Sequence, residues 1–405
     1  MKRRFLIECG GAETRAAYLI GDEVVRFSFG PARGDEALRR PPQTGDLYLG
    51  RVRSVSKSLG GAFVDLGADR EAFLPYKKDE ALAPEGSSII VLVRRPPIGG
   101  KGAVLSADWK RGLGAAAVLA LQEQADARRN PGALGEPVDA AIHAFVLARP
   151  EGSEPLDEVI TNDAAAAALL RACGAEQVFS ADSPFETYGA AEALESALER
   201  TVMLPGGARL IFDQAEALTV VDVDAGAAAD GASGRLNDKV NLLAAKALPG
   251  ELARRAVGGR IVVDFLPPGS ADARKRLVDA LKEAGRERFD ARFGKLSADG
   301  LFDMTAPRTR LSLLEEATEP AGADWVVPGR RFSLDWRAKR AVCALEAALA
   351  KRPSARPRLV AGAGLEAYLS KSRPQWPQRV AERYGSRFEI ARNDGLEERG
   401  FDIFE

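Results

Sequence analysis

Two apolar runs in the second half of the chain each end in aspartates. ALTVVDVDAG contains Asp222 and Asp224, and GGRIVVDFLPPG contains Asp264. Continuous apolar runs are typical of strands buried in a sheet covered on both faces, where an ionised carboxylate must be paired, hydrogen-bonded or metal-bound. Because side chains alternate along a strand, Asp222 and Asp224 are expected on the same side. If the two strands are neighbours, Asp222 and Asp264 could together bind Mg²⁺, which prefers one or two carboxylates with water and phosphate oxygens.

Other roles for these aspartates remain open from the residues alone. Acidic side chains at strand ends also cap the following helix or line a cofactor loop, so a structural role is at least as well supported as a metal-dependent nuclease site. The chain contains one histidine, His143, which excludes a multi-histidine metal centre and leaves only this residue for a Ser-His-Asp or Cys-His site. We therefore expect hydrolytic chemistry to use carboxylates and His143 to be structural.

Composition narrows the class of protein. The 405 residues include 57 basic and 58 acidic ones, and 46% are hydrophobic, which is typical of a globular multidomain chain. With a net charge of −1, nucleic-acid binding would need a local basic surface. Cys9, Cys173 and Cys343 form no CxxC pair, so we expect neither a zinc ribbon nor disulfides, and we expect a cytoplasmic location. The N-terminal apolar run is too short for a signal peptide, and no membrane span is predicted.

A second group of residues with binding chemistry lies in the first third of the chain. GGAFVDLGADREAFLP places Phe63 and Phe73 on strands either side of a turn that contains Arg70, and Lys101 follows in GGKGAVLS. Residues 46–111 hold 11 basic and 8 acidic residues, a local net charge of +3. Aromatic and basic side chains on a small barrel suit base stacking and phosphate contacts with single-stranded RNA. The alternative is that both phenylalanines are core residues, which is the usual outcome for aromatics in strands.

The elements that must position these groups follow from the hydrophobic pattern. Residues 3–29 predict two or three strands separated by glycine turns, and short alternating strands over 46–108 predict a barrel of about five strands. A predicted helix over 234–257 joins the two aspartate runs into a strand-helix-strand unit. Residues 331–405 predict a small α/β unit. The predicted fold class is therefore multidomain α/β.

An ordered series of segments resembles the ribonuclease E/G family of endoribonucleases. In chain order these segments are MKRRFLIECGGAETRAAYLIGDEVV, GDLYLGRVRSVSKSLGGAFVDLGADREAFLP, EALTVVDVDAG, GGRIVVDFLPP, DGLFDMTAPRTRLSLLE and SRFEIARNDGLEERGFDI. The resemblance covers nearly the whole chain, and the order of the segments makes it specific. It implies an RNase H-like domain (1–44 and 138–205), an inserted S1/OB-fold RNA-binding barrel (45–112), a helical remnant of the 5′-sensor region (113–137), a DNase I-like catalytic domain (206–316), a linker (317–330) and a small C-terminal domain (331–405).

The resemblance implies catalytic roles for three aspartates. Asp222 and Asp264 match the two aspartates that hold the catalytic Mg²⁺. Asp224 falls where the family usually has an asparagine that orients the first of these ligands. A carboxylate at this position could bind metal itself, and it could raise the pKa of Asp222 by like-charge repulsion.

The resemblance also implies a substrate, a reaction and partners. Phe63 and Phe73 match aromatics of the S1 domain that grip the RNA base near the cut, and Lys101 matches a lysine that helps to hold it. The family cleaves single-stranded RNA to leave 5′-phosphate and 3′-hydroxyl ends, in RNA processing or decay. Mg²⁺ is the expected cofactor, with Mn²⁺ as a substitute, and a homodimer through the C-terminal domain is possible.

Three departures from the family pattern keep a second function open. We find no GLIVRT-like loop of the 5′-end sensor between residues 108 and 143, and no CPxC zinc link after the RTRLSLLE segment, so no bound zinc is expected. The loop AGAAADGASG after Asp224 lacks the arginine that the family usually carries. The chain could therefore be an RNA-binding protein of the same fold with weak or no cleavage activity. The retention of Asp222 and Asp264 favours the enzyme.

Overall fold

The computed structural model of the protein describes residues 1–33, 41–76, 83–98, 100–110, 114–135, 141, 145, 156–226, 234–321, 329–352, 354–373 and 375–404. His143 lies outside the described residues. The chain divides into two compact units, one of Met1–Glu36, Val138–Pro307 and Ser312–Glu405, the other of Ala37–Pro137 and Arg308–Leu311. The fold is mixed α/β, as the sequence predicts.

Strands and helices alternate along most of the described chain. The strands are β1 Arg3–Cys9, β2 Glu13–Ile20, β3 Glu23–Pro31, β4 Leu47–Ser56, β5 Gly61–Asp65, β6 Ala72–Pro75, β7 Ser88–Arg95, β8 Val104–Ser106, β9 Gly132–Leu134, β10 Glu158–Thr161, β11 Val178–Ser180, β12 Thr201–Met203, β13 Arg209–Gln214, β14 Thr219–Asp224, β15 Gly259–Asp264, β16 Arg292–Leu296, β17 Leu301–Ala306, β18 Thr318–Pro320, β19 Arg330–Phe332, β20 Arg358–Ala361, β21 Glu389–Arg392 and β22 Phe401–Phe404. The α-helices are α1 Ala115–Asp126, α2 Ala164–Ala172, α3 Pro184–Thr187, α4 Ala190–Ser196, α5 Gly234–Arg254, α6 Ala271–Gly285, α7 Leu313–Ala317, α8 Leu334–Lys351, α9 Ala363–Ser372 and α10 Trp376–Tyr384.

The smaller unit contains a closed barrel. Strands β4, β5, β6, β8 and β7 pair in this order, and β7 pairs back to β4, which closes five strands as predicted. β9 also pairs with β4. Alternate residues of each strand point inward, and the core is built from Tyr48, Val64, Leu66, Ala72, Leu74, Val91, Val93, Ala103 and Leu105. A Cβ at Gly50 would lie 2.4 Å from Cγ1 of Val64, so the packed core leaves no room there for a side chain.

The N-terminal strands of the larger unit form a sheet buried on both faces. Its order is β11-β10-β1-β2-β3, with β1 antiparallel to β2 and parallel to β10. Every residue of β2 is buried. Phe5 packs in the cluster that contains Leu170 of α2, while Leu6 packs in a second cluster with Phe185 of α3 and Leu194 of α4. This sheet is a rigid support for the elements that follow it in the chain.

The C-terminal elements pack against the turn between β1 and β2. Helices α8, α9 and α10 and the sheet β21-β20-β22 share one apolar cluster. Arg373, Arg379 and Arg383 donate hydrogen bonds to three carbonyl oxygens of residues 9–12. Glu346 of α8 accepts from a backbone N–H of the same turn. β18 lies within the range expected to be a linker, and it pairs with β19, which begins at the last residue of that range.

A six-stranded sheet of the described chain carries the aspartate runs. Its order is β12-β13-β14-β15-β17-β16, and β14 and β15 are parallel neighbours connected through α5. One face of this sheet packs against α5 and α6. The cluster joins Val221, Val223, Ile261 and Val263 of the sheet to Leu248 and Leu252 of α5 and to Leu277 and Leu281 of α6. Residues at the intervening strand positions are exposed, as Val220 and Leu301 are, or half-buried, as Val262 is. The expectation that both faces of this sheet are covered is therefore wrong, because β14, β15 and β17 alternate between a buried and an open face.

Candidate active site

Asp222 and Asp264 lie directly opposite one another on the open face of this six-stranded sheet. The register of the parallel pair aligns Asp222 of β14 with Asp264 of β15, so the two strands are neighbours and the condition for a shared site is met. Both residues are exposed. Adjacent strands lie about 5 Å apart, so the two carboxylates can reach the same ion or ligand.

The charges around Asp222 disfavour its ionised form. Partial burial of the carboxyl group, together with the negative charges of Asp264 and Asp224, raises the pKa of Asp222. Arg209 acts in the opposite direction. The predicted like-charge effect of Asp224 on Asp222 is thus confirmed. A cation bound between Asp222 and Asp264 would relieve their repulsion.

Asp224 lies on the same face, as predicted, but other groups already occupy its carboxylate. Arg209 of β13 is its partner in the antiparallel register and donates to Oδ2 from Nε at 2.9 Å and from Nη2 at 2.6 Å. The backbone N–H of Gly226 donates to Oδ1 at 2.7 Å. These contacts hold the pKa of Asp224 below its usual value.

A second ion pair of the same kind lies at the other end of β13. Arg200 donates to both carboxylate oxygens of Asp213, at 2.6 Å and 2.7 Å. These hydrogen bonds hold the pKa of Asp213 below its usual value. Two arginine-aspartate pairs therefore flank Asp222 along the neighbouring strand.

The donor set suits a hard divalent cation bound mainly by water and substrate. Among the described residues, no group of three or more histidine, cysteine, aspartate or glutamate side chains could hold a metal ion. Two facing carboxylates meet the requirement of Mg²⁺, which keeps several waters and takes phosphate oxygens as further ligands. Zinc sites, by contrast, usually have three or four protein ligands that include histidine or cysteine.

Phe63 and Phe73 form an aromatic pair on the outside of the barrel. They are register partners on β5 and β6, and their ring centroids are 5.5 Å apart with an interplanar angle of 59°. Both are half-buried, whereas their strand neighbours Val64 and Ala72 are buried in the barrel core. A Cβ at Gly61 would lie 2.4 Å from Cζ of Phe73, so the ring of Phe73 can lie over β5 only because residue 61 is glycine. The two phenylalanines are not core residues, and their rings are placed where bases could stack.

Arg70 and Lys101 lie on two loops that touch beside the same strands. Arg70 Nη1 donates to the carbonyl oxygen of Gly100, next to the exposed Lys101. A Cβ at Gly102 would lie 1.8 Å from the carbonyl oxygen of Glu71, so the loops can approach this closely only with glycine at 102. The residues predicted to contact RNA are thus gathered in one part of the barrel.

Sequence reasoning missed Arg209, although a signal for it exists. β13 and β14 form a hairpin in which Gln214 pairs with Thr219. Counting five residues back along β13 and five residues forward along β14 from this pair places Arg209 opposite Asp224. The predicted strands ARLIFDQ and ALTVVDVD contain all the residues needed for this count.

Comparisons with known proteins agree on one family. Residues 133–309 match the model of the "Ribonuclease E/G family", and this range includes all three aspartates of the site. The chain is 25% identical to a protein named "Ribonuclease G" from Salmonella typhimurium, over 77% of this chain and 81% of that protein. It is 23% identical to "Ribonuclease E" from Escherichia coli, over 78% of this chain and 38% of that protein. A segment covering 34% of this chain is 35% identical to 14% of a chloroplastic "Ribonuclease E/G-like protein" from Arabidopsis thaliana.

Proposed function

Because the chain belongs to the ribonuclease E/G family, we propose that it is an endoribonuclease that cuts single-stranded RNA in RNA processing or decay. One observation carries the proposal beyond family membership: Asp222 and Asp264 face each other on neighbouring strands of an open sheet face. Such a pair is what a hydrolase without a histidine base needs to hold an activating cation. The proposed products carry 5′-phosphate and 3′-hydroxyl ends.

Asp222 and Asp264 would hold one Mg²⁺, or Mn²⁺ in its place. When bound there, the cation polarises the scissile phosphodiester and lowers the pKa of a bound water. The two aspartates orient this centre, and their exposure leaves the remaining coordination positions open to water and phosphate. No zinc is needed in this proposal.

The barrel residues would bind the substrate. The exposed parts of Phe63 and Phe73 present aromatic surface for base stacking, which stabilises single-stranded RNA complexes by about 1–3 kcal/mol per base. Lys101 and Arg70 would contact the phosphates, so binding should weaken as salt concentration rises.

Two further properties remain predictions. A homodimer through the C-terminal domain would be detected by the molar mass of the protein in light scattering. A cytoplasmic location would be tested by fractionation. None of the helices in the described ranges is long and apolar enough to cross a membrane.

The test is cleavage of a fluorescent single-stranded RNA with and without Mg²⁺, by the wild type and by Asp222→Asn and Asp264→Asn variants. Asp279→Asn is the matched control, because this exposed aspartate lies on α6, which covers the opposite face of the sheet. We expect Mg²⁺-dependent cleavage that both site variants lose by at least 100-fold and the control retains. Equal rates on 5′-monophosphate and 5′-triphosphate substrates would show that the chain does not sense the 5′ end. If the wild type binds the RNA but leaves it intact over a range of Mg²⁺ and Mn²⁺ concentrations, the chain is an RNA-binding protein and the proposal is wrong.

A further inference from the structure

We infer that Arg209 is a positioning residue of this site. Its ion pair neutralises the charge of Asp224, so that Asp224 does not compete with Asp222 and Asp264 for the cation. The inference rests on the proposed function of Asp222 and Asp264. In this inference Asp224 is not a metal ligand, although its carboxylate and its position in the sequence would allow it to be one. Arg209 then acts on the reaction through Asp224.

The hydrogen bonds of Asp224 indicate that its carboxylate is not a metal ligand. Oδ2 accepts from two nitrogens of Arg209, and Oδ1 accepts from the N–H of Gly226. A cation bound by Asp224 would have to compete with these donors. Asp222 and Asp264, in contrast, have exposed carboxylates on directly paired positions.

The charges on the open face of the sheet explain why an arginine lies beside Asp224. Asp222, Asp224 and Asp264 bring three negative charges to neighbouring positions of two strands. The guanidinium of Arg209 leaves a net charge of −2, which one divalent cation balances. A neutral asparagine at position 224 would leave the same net charge without an arginine. Arg209 therefore compensates for the carboxylate at this position, and without it the extra negative charge would repel an RNA phosphate.

The ion pair lies where two backbone segments approach each other closely. A Cβ at Gly226, whose φ is +56°, would lie 2.0 Å from the carbonyl oxygen of Gly207. The chain leaving β14 thus passes tightly against the turn that precedes β13. The side chains of Arg209 and Asp224 connect the same two segments, because Arg209 begins β13 and Asp224 ends β14. The pair lies beside this close approach, two residues beyond Asp222.

The experiment is a double-mutant cycle on Arg209→Ala and Asp224→Asn, with the Mn²⁺ dissociation constant measured by titration calorimetry and the rate of RNA cleavage measured in parallel. Arg331→Ala is the matched control, because Arg331 is also an exposed arginine paired across two strands with a carboxylate, that of Glu319. Removing Arg209 adds net negative charge, so Mn²⁺ should bind about 3- to 10-fold more tightly while RNA cleavage falls about 10-fold or more. Asp224→Asn should weaken Mn²⁺ binding by only a few-fold. The double variant should return both quantities to within about threefold of the wild type, and the control should change neither.

Several outcomes would overturn the inference. If Asp224→Asn loses Mn²⁺ binding as completely as Asp222→Asn, Asp224 is a direct ligand. If Arg209→Ala cuts poorly and Asp224→Asn does not rescue it, Arg209 acts on the RNA and does not act through Asp224. Failure of the proposed function would look different: the wild type would not cleave RNA, while the opposite shifts of Mn²⁺ affinity and their cancellation in the double variant would still be measurable.

Discussion

We predict that Glu346 makes the packing of the C-terminal helices dependent on pH. Its two carboxylate oxygens each lie 3.2 Å from the backbone nitrogen of Gly11, and the residue is 8% exposed. Burial raises the pKa of Glu346 to about 7, against the opposing effects of Arg383 and of the Gly11 N–H. We predict that replacing Glu346 with glutamine removes a large part of the pH dependence of stability between pH 4.5 and pH 8.

The size of the effect follows from the two pKa values. A glutamate in the unfolded chain has a pKa near 4.5, and in the folded chain that of Glu346 is about 7. Between these values the folded state binds more protons than the unfolded state, so the stability contributed by Glu346 is complete below pH 4.5 and is lost as the pH rises through 7. At about 1.4 kcal/mol for each pH unit of separation, the loss is about 3 kcal/mol in the free energy of unfolding.

The assay is urea unfolding of wild type and Glu346→Gln at several pH values, followed by the fluorescence of tryptophans that include the buried Trp336 and Trp376. The quantity of interest is the difference in unfolding free energy between the two proteins. This difference should shift by about 3 kcal/mol in favour of the variant from pH 4.5 to pH 8, whatever its value at pH 4.5. Glu382→Gln removes an exposed glutamate from α10 and serves as the control. Parallel curves for wild type and Glu346→Gln would refute the reasoning.

Three further predictions concern single contacts. Phe63→Ala and Phe73→Ala should each weaken binding of single-stranded RNA about 5- to 100-fold, measured by fluorescence anisotropy. The melting temperature should change little, because both rings lie outside the barrel core. A large fall in melting temperature would place the rings in the core. Ser312→Ala removes the side-chain cap of α7 and should cost about 1 kcal/mol in urea unfolding, whereas Ser312→Thr should keep most of it. Gly226→Ala should lower the melting temperature and the cleavage rate together, since its Cβ would meet the carbonyl oxygen of Gly207; an unchanged rate would show that the close approach does not position the site.

The parts of the fold that sequence reasoning predicted correctly depend on contacts between neighbouring segments. Short turns that contain Gly60 and Gly67 join β4 to β5 and β5 to β6, so the pairing of these three strands follows the order of the chain, whereas β6 pairs with β8 and β7 returns to β4. β14 and β15 belong to a strand-helix-strand unit, which places parallel strands side by side. This local rule makes the two strands neighbours, whereas the register that sets Asp222 opposite Asp264 is a property of the folded sheet.

The parts that could not be predicted depend on distant pairing or on one-sided burial. β10 has four residues and pairs with β1, far away in the sequence, so no local pattern reveals it. The runs VVDVD and IVVD place valines on both faces, and the exposed Val220 therefore looked like part of a core. The positions of Phe63 and Phe73 were undecided for the same reason, since apolar residues occupy both sides of their strands.

The way the C-terminal helices hold the turn of residues 9–12 has an evolutionary consequence. Arg373, Arg379 and Arg383 donate to carbonyl oxygens, which every amino acid supplies, so these hydrogen bonds alone place no demand on the side chains of the turn. Packing supplies that demand, because a Cβ at Gly10 or Gly11 would lie 2.7 Å from an atom of the opposing helices, and Cys9 and Ala12 are buried. Among descendants of this chain, the three arginines and the small residues of the turn should therefore persist together.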